Sequence, residues 1–271
     1  MKYKLIVSDF DGTLAFNSVV SNEVKKAIKK YREAGGKFVL CTGRHRLSAN
    51  AVINRNGFDT DGVISLQGAY AEVNGVELLN GGVPKQIIYD IVNDIHLFGV
   101  KVCLWQDDYL FYEDGESAIK YANYFTSVGV KIAPLNNVNE ILQSKVGVFN
   151  KIIINETPSD VFNKIITFIN QKYGDWVVAN SGAPYLTEVV SNKFTKYKST
   201  KIMAKYLGFN EDEVITVGDS TNDLTLLEYG FSIAVANADD EVKKVARYIA
   251  PSVQDDAIKF IIEKILANEE F

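Results

Sequence analysis

Residues 4–14 read Lys4-Leu5-Ile6-Val7-Ser8-Asp9-Phe10-Asp11-Gly12-Thr13-Leu14, and the first five of them decide the fold class. Leu5, Ile6 and Val7 are consecutive rather than alternating, the mark of a strand buried on both faces of a parallel sheet. Outward from this strand, Ser21 or Asn22 can cap a helix whose Val24, Ala27, Ile28 and Tyr31 recur at helical spacing, stopped by Gly35-Gly36. A second apolar strand at 38–41, a helix near 45–54 and a third strand near 62–65 follow. The order β-α-β-α-β predicts an α/β protein with a Rossmann-like three-layer core, a parallel sheet with helices on both faces.

The rhythm changes at 84–98, a helix with Ile87, Ile88, Ile91, Val92 and Ile95 on one stripe. Strand patterns at 102–105 and 109–112 predict a hairpin around Gln106-Asp107-Asp108. A helix at 116–127, a strand at 151–155, a helix at 159–173 and strands near 176–179 and 185–190 complete the segment. That order predicts a smaller α+β unit whose antiparallel sheet is covered on one face. From 199 the parallel rhythm returns, with helices at 199–207 and 223–228, strands at 214–217, 232–235 and 248–250, and a last helix. The expected organisation is a core of 1–83 and 189–271 interrupted by an inserted cap domain at 84–188.

The 271 residues carry 29 Lys plus Arg against 34 Asp plus Glu, a net charge of −5. Mild acidity speaks against a nucleic-acid partner, because polyanions draw clustered Lys and Arg. Cys41 and Cys103 are the two cysteines, and neither stands at metal-ligand spacing from another Cys or His, so no zinc site or disulfide framework is expected. The apolar run 5–7 is broken at Ser8-Asp9, and no segment nears the roughly 18 apolar residues of a membrane span. The expected location is the cytoplasm, with no membrane partner. Oligomeric state is not written in the sequence.

Three chemistry-bearing segments fall just after three core strands: Asp9-Phe10-Asp11-Gly12-Thr13, Thr42-Gly43-Arg44 and Gly218-Asp219-Ser220-Thr221-Asn222-Asp223. Each alone has a plain structural reading, as an Asp-Gly turn or as a helix cap. Ligands of open α/β sheets, however, bind outside the carboxyl ends of the strands. If these strands are parallel neighbours, Asp9, Asp11, Asp219 and Asp223 converge on one crevice. Four carboxylates there would repel one another unless they shared a cation, and an all-oxygen site favours Mg²⁺.

Together the segments resemble motifs of the haloacid dehalogenase superfamily. Asp9-Phe10-Asp11-Gly12-Thr13-Leu14 is similar to its first motif, Thr42-Gly43-Arg44 to its second and Gly218–Asp223 to its fourth. An insertion between the second motif and a lysine-bearing third resembles the Cof-type phosphatases of that superfamily. Glu188-Val189 and Leu207-Gly208 stand where such proteins place a Glu-Ile-like pair and a Leu-Gly pair, and both spacings select Lys196 as the motif lysine. Tyr197 occupies the family's usual Gly, which keeps Lys198 open as the alternative.

The resemblance implies a Mg²⁺-dependent phosphatase acting on a small phosphomonoester, a sugar phosphate or related metabolite. Asp9 would be the nucleophile, and Asp11 the acid and then the base. Asp9, the Asp11 carbonyl and Asp219 would hold the metal, with Asn222 and Asp223 as further ligands or behind it. Thr42, Gly43 and Lys196 would hold the phosphoryl group. Arg44, Ser181 and Tyr185 are candidate substrate contacts, the last two in a loop near the return to the core, and the junctions of the insert are candidate hinges. Gln67 stands where the family usually has Asn. His45 adjoins the crevice but is read as a surface helix position, and His96 as a structural residue of the cap. A phosphomannomutase-like phosphotransferase and a catalytically silent metabolite-binding protein are the alternatives.

Overall fold

The computed structural model describes residues 1–155, 159–183 and 186–271. It divides into two compact units, Met1–Asn80 with Thr195–Phe271, and Gly81–Phe194. The first unit opens with β1 (Leu5–Ser8), α1 (Asn22–Glu33), β2 (Lys37–Cys41), α2 (Arg46–Asn56), β3 (Gly62–Ser65), β4 (Tyr70–Val73) and β5 (Val76–Asn80). The second unit holds β6 (Val83–Pro84), α3 (Lys85–His96), β7 (Val102–Gln106), β8 (Tyr109–Tyr112), α4 (Glu116–Tyr124) and β9 (Lys131–Pro134). It continues with α5 (Glu140–Gln143), β10 (Val148–Phe149), β11 (Lys151–Asn155), α6 (Ser159–Tyr173), β12 (Val177–Ala183) and β13 (Leu186–Ser191). The first unit then resumes with α7 (Lys196–Leu207), β14 (Val214–Gly218), β15 (Phe231–Val235), α8 (Asp240–Val245), β16 (Tyr248–Ala250) and α9 (Ala257–Ala267).

Among the described residues, the first unit is built on an eight-stranded sheet in the order β16-β15-β14-β1-β2-β3-β4-β5. The strands from β16 to β3 run parallel, and β4 and β5 add an antiparallel edge. Alternation along β1 explains why its apolar run is unbroken. Leu5 and Val7 pack with Val39, Cys41, Val214 and the Met203 and Ala204 of α7 on one face. Ile6 packs on the other with Phe38, Ile215, the Ile28 and Tyr31 of α1 and the Ile261 of α9. This is the expected α/β three-layer core. The order turns back at β1, with β2 and β3 on one side and β14 to β16 on the other, so the topological switch point lies at the carboxyl edge of β1.

Local chemistry sets the element ends. Ser21 caps α1, its side chain accepting the Val24 N–H at 3.1 Å. Gly68 has φ +97°, and a Cβ there would stand 2.3 Å from the Thr195 carbonyl carbon, so a side chain would push away the start of α7. Two expectations need correction. The 223–228 segment is not a helix: a 3₁₀ turn spans Thr221–Asp223, opened by a capping box of Ser220 and Asp223, and a further turn from the Leu227 N–H to the Asp223 carbonyl follows before Gly230, at φ 74°, leads the chain into β15. The β4–β5 hairpin was not foreseen, although its Asn74-Gly75 turn, both residues at positive φ, carries a hairpin signal.

The second unit contains a six-stranded sheet, β12-β13-β11-β7-β8-β9, in which β8 and β9 form the parallel pair. The face bearing Val102, Leu104, Ile152 and Ile154 packs on Ile88, Ile91 and Val92 of α3 and Ile165 and Ile169 of α6. The opposite face is not bare, contrary to the one-sided expectation. There α4 delivers the Ala118 carbonyl to the Cys103 thiol, and Phe125 just beyond α4 meets Trp105 edge-on at 5.0 Å. No helix among the described residues is long and apolar enough to cross a membrane.

Candidate active site

β14, β1 and β2 are parallel neighbours, so their carboxyl ends bring the three sequence segments to one edge. Asp9 follows β1 directly, its N–H donating to the Val217 carbonyl of β14 at 2.9 Å. Its side chain is nearly buried and its Oδ1 accepts from Lys196 Nζ at 2.8 Å. Lys196 opens α7, capped by Thr195, and is itself buried. The same Nζ donates to Asp223 Oδ1 at 2.6 Å. Lys198 is exposed, so Lys196 is the lysine that reaches these carboxylates.

Asp219 ends the strand–loop junction of β14, and its Oδ1 accepts from Thr13 Oγ1 at 2.7 Å. Gly12 has φ +89°, and a Cβ on it would lie 2.4 Å from Asp219 Oδ2. Only glycine lets the loops after β1 and β14 come this close. Ligand oxygens of Asp9, Asp219 and Asp223 all lie within 4.8 Å of one another. One ammonium faces three carboxylates, and the charge deficit registers in their protonation. Burial first, and then the Asp223 charge, raise Asp9 well above the usual carboxylate range against the pull of Lys196. Burial likewise pushes Asp219 to about 6. Lys196 stays firmly protonated, since the charges of Asp223 and Asp9 outweigh the cost of burying it. An oxygen-only cluster short of positive charge fits a hard divalent cation.

Thr42, buried after β2, bonds its N–H to the Ile64 carbonyl at 2.8 Å, and its Oγ1 accepts the Arg44 N–H at 3.2 Å. A Cβ on Gly43 would meet the Gln67 amide nitrogen at 2.5 Å, so Gln67 lies against the backbone of that loop. Arg44 turns toward Asp11. Its Nε and Nη2 donate to the two Asp11 carboxylate oxygens at 2.8 and 2.7 Å, and Nη2 also reaches Ser18 Oγ at 3.2 Å. The guanidinium lies 5.3 Å from the centre of the Phe10 ring. Asn222 is exposed, and among the described residues its side chain has no hydrogen bond to the carboxylates. In the second unit Ser181 is exposed on β12 opposite Thr187, and Tyr185 lies outside the described residues.

His45 is corrected from a surface residue to a buried one. At 4% exposed it is the N-cap of α2, Nδ1 accepting the Leu47 N–H at 3.3 Å, so a ring nitrogen replaces the usual Ser or Asp oxygen. Sequence reading does not single out Asn237, which together with Thr13 fastens the loops of the site. Thr13 lies within the first motif and was legible; Asn237 carries no signal before the fold is known.

The sequence model of the haloacid dehalogenase-like hydrolases matches residues 6–262. The chain belongs to this family. As such it is an enzyme, a hydrolase. It is 28% identical to YxeH of Bacillus subtilis, provisionally named a phosphatase, over 97% of this chain and 98% of that protein. The fold is shared with TM0651 from Thermotoga maritima, at a TM-score of 0.82 and 23% identity over 97% of each chain. It is also shared with BT4131, described as a subclass IIB sugar phosphatase, at a TM-score of 0.79 and 18% identity over 97% of this chain and 98% of that one.

Proposed function

We propose that the protein is a Mg²⁺-dependent phosphatase that hydrolyses a small phosphomonoester, a sugar phosphate or related metabolite, through an aspartyl-phosphate on Asp9. The observation that carries this reading is the arrangement at the edge of β1. Asp9 is held through one oxygen by Lys196, with Asp219 and Asp223 close by and Asp11 two residues on. Asp9, the Asp11 carbonyl and Asp219 would hold the ion, with Asp223 beside it or behind it. When bound, the ion neutralises the carboxylates and the phosphoryl oxygens and so allows a dianion to enter.

The Asp9 oxygen not taken by Lys196 attacks phosphorus, and the bond from phosphorus to the leaving oxygen breaks. Asp11 gives its proton to that oxygen. In the second half Asp11, now a carboxylate, takes a proton from water, which attacks phosphorus and releases phosphate and a free Asp9. Lys196, Thr42 and the Gly43 backbone bind phosphoryl oxygens throughout. Arg44 sets the direction of Asp11, but while it holds both carboxylate oxygens no proton can be passed outward, so one must be released before donation. Arg44→Gln is therefore expected to slow alkyl phosphates roughly tenfold or more. Aryl phosphates, whose leaving groups need less protonation, should lose less. An equal loss on both, measured as kcat, would remove Arg44 from this role.

The test of the function is phosphate release by the full chain across hexose phosphates, pentose phosphates, nucleoside monophosphates and acetyl phosphate. Activity is expected with Mg²⁺, to vanish in excess chelator and to return with added Mg²⁺; full activity in chelator would end the metal assignment. The raised Asp219 adds a pH signature. Its folded form holds a proton more tightly than the unfolded chain, so the ion-free protein loses stability as pH rises from about 4 to about 6. Above that range a cation relieves the repulsion, and below it must displace a proton. Mg²⁺ should therefore raise Tm clearly at pH 7.5 and much less at pH 5, and equal shifts would count against this carboxylate as a ligand.

A further inference from the structure

The loop after β1 ends in a small hairpin that does not serve the core. Phe16 and Val19 exchange backbone hydrogen bonds at 3.1 and 2.9 Å, and the two residues between them, Asn17 and Ser18, have φ of 49° and 62°, as in the tight primed turns. The buried Asn56 at the end of α2 grips this hairpin from below. Its Nδ2 donates to the Ser18 carbonyl at 3.1 Å, and its Oδ1 accepts the Val20 N–H at 2.8 Å. Arg44 holds Ser18 Oγ from the side of Asp11. The tip is thus fixed from two directions. Leu14, Ala15 and Val20 around it are buried, yet Phe16 is left 47% exposed. A phenylalanine held rigidly in water beside an ionisable group is a ready surface for stacking.

Beside that ring lies a cavity of about 380 Å³, lined by Asp11, Phe16, Asn17, Ser18, Asn237 and Gln254 among others. Its size falls in the range of small-molecule sites, roughly 300–1,000 Å³. Its far wall is stapled in place, because Asn237 donates through Nδ2 to the Gly12 carbonyl and accepts the Val253 N–H through Oδ1, both at 2.8 Å. Asn17 and Gln254 are also among the lining residues, and among the described residues neither side chain has a hydrogen-bond partner. Each primary amide offers donors and an acceptor, which suits hydroxyl groups, themselves both donors and acceptors. Asp11 is the one charged residue of the lining, and it is paired to Arg44, so the wall suits an uncharged ligand.

We propose that this cavity of the catalytic unit seats the leaving group of the substrate as a neutral, polyhydroxylated ring. The carbon face of the ring rests on Phe16, and its hydroxyls bond to Asn17 and Gln254. The ring then lies beside Asp11, the group that must protonate its bridging oxygen. This assignment rests on the phosphatase reading, and adds that selectivity is read in part by the catalytic unit itself.

The experiment compares kcat/KM for a set of hexose phosphates with that for acetyl phosphate, whose leaving group has no ring, in the full chain with Mg²⁺. In Phe16→Ala and in Gln254→Ala the hexose-phosphate to acetyl-phosphate ratio should fall about tenfold. Gln254→Trp, which fills the cavity, should lower it further. Both positions are exposed, and thermal unfolding checks that the variants are folded. A ratio that stays constant in all three variants overturns the proposal, as does a wild-type chain that prefers acetyl phosphate to every hexose phosphate. Either result would leave the phosphatase reading standing, whereas absence of phosphate release from all substrates would overturn that reading itself.

Discussion

Asp9→Asn is expected to leave a folded protein whose kcat is lower by a factor on the order of 10⁴ or more. An amide is nearly the shape of a carboxylate, and its oxygen can still accept the Lys196 Nζ that now bonds Asp9 Oδ1. What it lacks is the negative charge that makes a carboxylate oxygen a nucleophile toward phosphorus. The same change should raise stability. Burial and the neighbouring Asp223 disfavour the ionised form of Asp9, so a neutral side chain relieves repulsion that the active protein tolerates. A gain of about 1 kcal/mol would raise Tm by about 2–4 °C. Activity and stability moving in opposite directions is the expected sign of a group kept for chemistry. Phosphate release within tenfold of the unsubstituted chain would remove Asp9 as the nucleophile.

Lys196→Met should harm both. Methionine approximates the length of lysine and fills its buried slot, but it leaves the Oδ1 atoms of Asp9 and Asp223 without the ammonium that both now contact. Breaking a buried ion pair from one side costs about 3–5 kcal/mol, which for this chain length is a fall in Tm of roughly 10 °C. Loss of a preorganised positive charge at the phosphoryl oxygens should cost about 10²–10³ in kcat. Added Mg²⁺ should restore part of the stability, by supplying charge to the same carboxylates, and little of the rate. A variant with normal Tm in the absence of metal would mean that Lys196 does not carry this electrostatic role.

Much of this was legible from the chain alone, for identifiable reasons. The run Leu5-Ile6-Val7 and the helical repeat Val24, Ala27, Ile28, Tyr31 report burial directly, and the observed strand and helix follow them. Asp9, Asp219 and Asp223 could be brought together because a parallel sheet puts every strand's carboxyl end on one edge. Features that depend on a side chain turning toward a distant partner could not be read. Arg44 and Asp11 are 33 positions apart, and only the adjacency of β1 and β2 lets them meet. The apolar Leu224, Leu226 and Leu227 imitate a helix, and Ser220 and Asp223 even form a capping box before them, but Gly230 turns the chain into β15 after little more than one turn. His45 reads as a surface position in the sequence because a histidine cap has no pattern to distinguish it from a surface histidine.

The place of β1 in its sheet also governs how the protein is made. β1 pairs on one edge with β2, which follows it closely, and on the other with β14, which lies about 200 residues further along the chain. At ribosomal rates of roughly 5–20 residues per second, that second edge waits about 10–40 s for its partner. Throughout that interval β1, with the consecutive apolar residues Leu5, Ile6 and Val7, has one edge unpaired, the kind of edge that recruits strands from other molecules. The intervening segment leaves the ribosome during the wait and has an apolar core of its own. The strand that leads into Asp9 is therefore made about 200 residues before the partner of its second edge, and that exposed edge is what holding chaperones would have to cover.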